Sequence, residues 1–289
     1  MNTTTQSLLG TAAALVVASL IVAAGSSGSV SVGGLPLFLI CAMVAFGVQW
    51  LAFVHAWTQK TEMYYDLMGS VTYISVVLIA LLLNEALKAR DVLLALMISI
   101  WAARLGSFLF ARIRKDGFDR RFNKIKENAA QFFMTWTLQG LWVTVTASAA
   151  VAAITSTQNV PLGIWAAIGA LLWLAGFVIE VVADQQKKAF REDPANRDTF
   201  ITSGLWRWSR HPNYFGEILL WLGITVIAFP HLQGWQYVTL ISPVFVFVLL
   251  NYISGVRMLE VRANRRWGDD PEYQAYKKRT SVLVPLPPG

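Results

Sequence analysis

A helix that crosses a bilayer needs about 20 mostly apolar residues, and this chain supplies eight stretches of that kind. They fall at roughly 7–24, 35–57, 67–87, 91–112, 130–154, 161–184, 214–229 and 236–257. Lipid offers no water to a backbone N–H or C=O, so each stretch is expected to be helical. The expected fold is all-α, a polytopic membrane helical bundle with seven to eight transmembrane helices. The seventh stretch is short and stops at Phe229–Pro230, which suits a tight helical hairpin with the eighth. Composition agrees, because 55% of the 289 residues are hydrophobic and 14% are charged. A soluble domain carries about 25% charged residues. The first stretch follows an uncharged Met1–Thr5 and precedes the Gly/Ser-rich "GSSGSVSVGG", so it reads as a retained span rather than a cleaved signal. The expected division is residues 1–34 as an extra span and loop, 35–257 as the bundle, and 258–289 as a polar tail.

Basic residues are spread unevenly between the stretches, and that sets the expected orientation. Arg112, Arg114, Lys115, Arg120, Arg121, Lys124 and Lys126 follow the fourth stretch. Lys187, Lys188, Arg191, Arg197, Arg207 and Arg210 separate the sixth from the seventh, and more follow from Arg257 onward. The loops at 155–160 and 230–235 hold no Lys or Arg. The positive-inside rule therefore puts the three basic segments and both termini in the cytoplasm. The net charge of +7 gathers on that face, where membrane lipid is the expected partner. No nucleic-acid motif accompanies the charge, so nucleic acid is not expected. The single Cys41 excludes an intrachain disulfide, and His55, His211 and His231 show no ligand spacing, so no metal is expected.

An ionisable side chain inside an apolar helix costs at least ~2.5 kcal/mol near the centre, so each one is a functional candidate. In "TEMYYDLMGSVTY", residues 61–73, Glu62 and Asp66 share one helical face with Tyr65 and Tyr73 close by. The same residues also suit an acidic helix start with interfacial tyrosines. Arg104 lies inside the fourth stretch and calls for an anionic partner such as Asp66 or Glu217. Asp184, Lys187/Lys188 and Arg191 share a helical face, either a solvated helix end or a surface for ribose hydroxyls and phosphates. In "WRWSRHPNYFGEIL", residues 206–219, Pro212 suits a first helical turn. The helix start then presents free N–H groups and a positive dipole end behind Arg207, Arg210 and His211, which is an anion site. Topology accounts for the arginines but not for Asn213 and Glu217, four apart inside the span. Asn251, Tyr252, Arg257 and Glu260 follow at the end of the last stretch, with Arg262, Tyr273 and Arg279 on a tail that equally suits an amphipathic surface helix. Together these groups imply a cytoplasmic-side pocket, cationic enough for a phosphorylated cofactor, that meets an apolar substrate arriving from lipid.

"GLWRWSRHPNYFGEILLWLG", followed by "WGDDPEYQAYKKRT" and "LVP", resembles the carboxy-terminal half of the steroid 5-alpha-reductase-like family of membrane reductases. "YDLMGSVTYI" and "WAARLGSFLF" resemble its bacterial branch, and the likeness covers roughly residues 60–285. The resemblance implies an integral protein of the bacterial inner membrane that uses NADPH to reduce the C=C bond of a conjugated enone, most simply a 3-oxo-Δ4-steroid. The wider superfamily also holds isoprenylcysteine carboxyl methyltransferases, which share the Arg-His-Pro motif, so an S-adenosylmethionine-dependent methyltransferase is the alternative. By the resemblance, Asn213 and Glu217 contact the nicotinamide half, and Asp184 and Arg191 the nucleotide. Arg114, Lys115 and Arg279 reach phosphates, and Trp208, Arg210, His211, Tyr214, Asn251, Arg257 and Glu260 complete the cofactor set. The substrate-side acid falls on Asp66. The family's tyrosine falls on Trp101, which has no acidic proton, so Tyr65 or Tyr73 would have to supply one, with Glu62 as a further catalytic candidate.

Overall fold

The computed structural model describes residues 2–287. Among these residues seven helices are long and apolar enough to cross a membrane, and a bent pair makes an eighth. The chain is an all-α polytopic membrane protein, as its apolar pattern implies. Its contacts divide it into two compact units, Met1–Ala166 with Thr225–Ser242, and Ala167–Ile224 with Pro243–Gly289.

The first unit contains α1 (Thr3–Gly25), α2 (Leu37–Gln59), α3 (Tyr65–Leu83), α4 (Ala89–Asp116), α5 (Ala129–Thr146) and α6 (Ser148–Ile154). The α1 helix packs along α5, α2 lies against both α3 and α5, and α3 against α4. The first span is thus built into the unit, with Asn128 Nδ2 donating to Thr4 Oγ1 at its base. Leu20, Leu51 and Leu82 are 65%, 75% and 77% exposed, a pattern that suits contact with lipid tails as apolar as leucine itself. The Gly/Ser segment after α1 is a small hairpin rather than a plain loop, with Ser31–Val32 pairing against Leu35–Pro36. Gly33 and Gly34 make its two-residue turn possible, because both adopt positive φ (58° and 81°), which L side chains resist. The hairpin is anchored where the Val30 N–H donates to the Thr155 carbonyl at 2.7 Å. The fifth apolar stretch is broken, with α5 and α6 bent by 56°.

The second unit carries most of α7 (Ile164–Glu192) and α8 (Pro212–Ala228), the end of α9 (Ile241–Val248), and all of α10 (Val256–Trp267) and α11 (Pro271–Arg279). The α7 and α8 helices touch through glycine. A methyl group on Gly176 would stand 2.5 Å from the Gly216 carbonyl oxygen, and one on Gly216 2.6 Å from the Gly176 carbonyl oxygen. Small residues let two membrane helices bring their backbones this close. The α8 helix starts at Pro212, as the proline implies. The last apolar stretch is not one smooth helix, since α9 runs into a π-turn at Leu249–Ile253 before α10 begins. The tail is not a free surface helix. It turns back on the 206–210 segment, where the Arg210 N–H donates to the Ser281 carbonyl (2.9 Å) and the Leu286 N–H to the Trp208 carbonyl (3.1 Å).

Candidate functional site

A cavity of about 690 Å³ opens within the second unit. Its wall is built from the end of α7, the 193–201 loop, the 206–211 turn, α10 and α11. The loop is held in place by α10, because Arg266 donates to the Arg197 carbonyl and the Asp198 carboxylate, and Trp267 Nε1 to the Asp198 carbonyl. The Phe200 ring closes the same corner, edge-on to Trp267 at 5.7 Å and to Tyr273 at 5.1 Å. The turn is held by the tail. Ser209 Oγ donates to the Leu283 carbonyl at 2.7 Å, and the buried Tyr276 hydroxyl to the Trp206 carbonyl at 2.6 Å. Burial also pushes the Tyr276 phenol well above its ordinary range, so it remains a donor at any physiological pH.

Charge on this wall is lopsided. Lys187, Arg191, Arg197, Arg210, Arg262 and Arg266 face only Glu192, Asp193 and Glu260. Glu260 is the pivot, since one carboxylate oxygen accepts from Arg210 Nη1 at 2.5 Å and the other from His211 Nε2 at 2.9 Å. The Lys187 ammonium sits 4.4 Å from the centre of the Trp206 ring, a cation–π contact. His211 is 5% exposed and stacks on Tyr214 with 7° between the planes. Burial lowers its pKa below the ordinary histidine value, and the Glu260 hydrogen bond only partly opposes that. Arg210 Nε and His211 Nδ1 are buried and have no hydrogen-bond partner in the protein. An orphaned buried donor beside surplus positive charge is what an anion-binding wall has to offer.

The acids of the first unit have different surroundings. Glu62 is 5% exposed, and both of its oxygens are taken, one by the Asp119 N–H at 2.9 Å and one by Lys126 Nζ at 2.7 Å. It ties the start of α3 to the loop after α4. Asp119 in turn holds Arg121. Burial alone would raise the Asp119 carboxyl, but hydrogen bonds and charge from Arg121, with Arg112 beyond, bring it below its ordinary value. Tyr65 is buried among Phe122, Phe132 and Trp136, and its hydroxyl donates to the Thr135 carbonyl at 3.0 Å. Asp66 is half-buried, with the Arg112 guanidinium 3.8 Å away. Tyr73 packs edge-on against Trp101 at 5.2 Å. Arg104 lies over the Phe108 ring. Among the described residues, no three His, Cys, Asp or Glu side chains cluster as a metal would require.

Residues 52–280 match the model of DUF1295, a protein family of unknown function. The chain belongs to the DUF1295 family. That family is associated with steroid 5-alpha-reductase-like proteins. An uncharacterised protein of Schizosaccharomyces pombe is 25% identical over 68% of this chain and 63% of its own length. The 3-oxo-5-alpha-steroid 4-dehydrogenase 1 of Bos taurus is 24% identical over 41% of this chain and 40% of its own. The protein of the same name from Macaca fascicularis is 27% identical over the same shares. The chain thus spans less than two thirds of the curated relatives it matches. No solved structure matches.

In this DUF1295 protein the expected cofactor residues do not all share the cavity. Arg191, Arg210, His211 and Glu260 are in its wall, whereas Asp184, Trp208, Asn213, Tyr214, Glu217, Asn251, Arg257 and Arg279 are not. Asp184 is buried on α7, Asn213 and Glu217 are half-buried on α8, and Trp208, Arg257 and Arg279 are exposed. Asn251 is half-buried in the π-turn, where its amide donates to the Phe247 carbonyl at 2.9 Å. Arg114 and Lys115 are exposed at the end of α4 in the first unit, Arg114 over the Phe110 ring. Of the catalytic candidates, Glu62 accepts from the Asp119 N–H and Lys126 Nζ, and the Tyr65 hydroxyl donates to the Thr135 carbonyl. Sequence reasoning does not single out Phe200, Trp206, Arg266 and Trp267 for the site. The signal for Lys187 is visible, because it shares the helical face of Arg191.

Proposed function

We propose that this chain is an integral membrane reductase that uses NADPH to saturate the C=C bond of a conjugated enone in a lipid-like substrate. A 3-oxo-Δ4-steroid is the simplest candidate, and the basic face and both termini are placed in the cytoplasm. The observation that carries the reading is a cationic, aromatic-lined cavity in a chain similar to proteins named 3-oxo-5-alpha-steroid 4-dehydrogenase. The residues present fit a phosphorylated dinucleotide. The cavity volume lies inside the ~300–1,000 Å³ span of small-molecule sites, and the orphaned Arg210 Nε leaves a buried cationic donor to be satisfied.

Bound NADPH would supply the hydride for the β carbon of the enone. The chain's own residues would do the holding. Arg191, Arg262 and Arg197 offer exposed guanidinium groups to phosphate oxygens, which they suit by bidentate geometry. Arg210 sits deeper and is kept in place by Glu260. On the substrate side, charge develops on the carbonyl oxygen as the β carbon is reduced, and a fixed hydrogen-bond donor there lowers the barrier. Asp66 in its acid form, with Tyr65 or Tyr73, is the candidate for that donor, and Glu62 is a further one.

The test is incubation of the purified full-length protein with NADPH and progesterone, with the product analysed by mass spectrometry. The reading expects a product heavier by two hydrogens and an equal loss of NADPH, both reduced at least tenfold by Asp66→Asn. No NADPH oxidation with any enone, together with binding of S-adenosylmethionine, would transfer the chain to the methyltransferase alternative.

A further inference from the structure

The Glu260–His211 pair has a consequence beyond holding a cofactor. A carboxylate can only accept hydrogen bonds, so the proton between His211 Nε2 and Glu260 Oε1 belongs to the imidazole. While the ring is neutral, its other nitrogen, Nδ1, is therefore a bare acceptor, and it is buried without a partner. Protonation would turn Nδ1 into a donor and add positive charge to the wall, with the Glu260 carboxylate already 2.9 Å away to balance it. Without ligand, burial and the positive charges of Lys187 and Arg210 oppose that protonation. An anion entering the cavity offsets those two charges, so that burial alone is left to oppose the pull of Glu260 on the proton.

We propose that capture of a phosphorylated ligand in this cavity draws one proton onto His211, with Glu260 as the fixed counter-charge. This rests on the phosphorylated-cofactor reading of the cavity and adds a proton to it. The groups facing the ring come from every element around it. They are Glu260 from α10, Lys187 from α7, Arg210 from the turn itself and the Tyr214 ring from α8. Tyr273 and Tyr276 of α11 act on Glu260 and Arg210 rather than on the ring. Among side chains of these types, imidazole is the one whose ordinary value lies near neutral pH. The coupling makes the site a selective trap. Affinity is greatest for ligands with enough negative charge to draw the proton in, and a neutral nucleoside gains nothing from it.

The experiment is calorimetric titration of NADPH into the full-length protein in detergent, in buffers of different ionisation enthalpy, from neutral pH upward. The expected result is a binding enthalpy that tracks the buffer with a slope approaching one proton. The dissociation constant should also weaken by up to about tenfold per pH unit. His211→Gln keeps a donor for Glu260 but cannot titrate, so its slope should fall to whatever the phosphates of NADPH contribute alone. Glu260→Gln keeps the histidine, removes the counter-charge, and should flatten the slope likewise. Equal slopes in the wild type and His211→Gln, or a wild-type affinity flat with pH, would overturn the inference and leave the cofactor reading intact. If the wild type binds no NADPH at any pH, both fall together.

Discussion

Glu62 shows how burial turns an acid into a tether. Both of its oxygens are engaged, one by a backbone N–H and one by a lysine. Glu62→Ala should therefore lower thermal stability by roughly 2 kcal/mol, the usual worth of a hydrogen bond to a charged group with its partner left behind. Unfolding in detergent measures this. Tyr65→Phe discriminates more sharply. If the hydroxyl only anchors α3 to the Thr135 carbonyl, the loss is about 1 kcal/mol of stability with turnover within a few-fold. A catalytic phenol would cost a hundredfold or more, at the scale of general-acid catalysis, ~10²–10⁴. His211 adds a pH dependence to the ligand-free protein. Its folded pKa lies below its unfolded value, so the neutral ring contributes full stability above about pH 6.5 and loses it as pH falls toward the folded pKa. The melting temperature should drop across that window, and less so in His211→Gln. The spacing of Glu62 and Asp66 is visible in the chain. Their separate fates are not, because the partner of Glu62 is Lys126, 64 residues away.

Helix starts and turns are where local chemistry reads through. Pro212 opens α8, and the Gly33–Gly34 pair makes a hairpin turn, both for conformational reasons that hold in any protein. The 56° break between α5 and α6 and the π-turn after α9 escape that reading. Hydropathy stays high through both, since it registers transfer to lipid and not helix direction. The return of the tail to the 206–210 turn is equally hidden, because backbone hydrogen bonds carry it and any residue has those. The glycine contact between α7 and α8 yields a prediction of its own. Gly216→Val would place side-chain carbon against the Gly176 carbonyl and force the helices apart. The expected cost is about 1–3 kcal/mol, seen as a lower melting temperature, with a smaller penalty for Gly47→Val, where nothing lies near the missing Cβ.

The whole molecule is divided in a way that composition does not announce, since each unit is assembled from two separate segments of chain. The apolar stretches reveal how many times the chain can cross, but which helices share a unit depends on contacts between distant segments. The same limit applies to the site. The basic run from Lys187 to Arg210 is legible as charge, but its closure into a cavity with α10 and α11 requires Phe200, Trp267 and Tyr273 to meet, and no local pattern says so. The central claim is that this cavity holds the phosphates of the cofactor. Its most direct measurement is the dissociation constant of NADPH for the wild type, Arg191→Glu, Arg262→Glu and, as a control in the first unit, Lys124→Glu. The two reversals on the cavity wall should each weaken binding by about tenfold or more, the loss of one charge-assisted hydrogen bond, and the control should bind as the wild type does. Unchanged affinity in both wall variants would contradict the account.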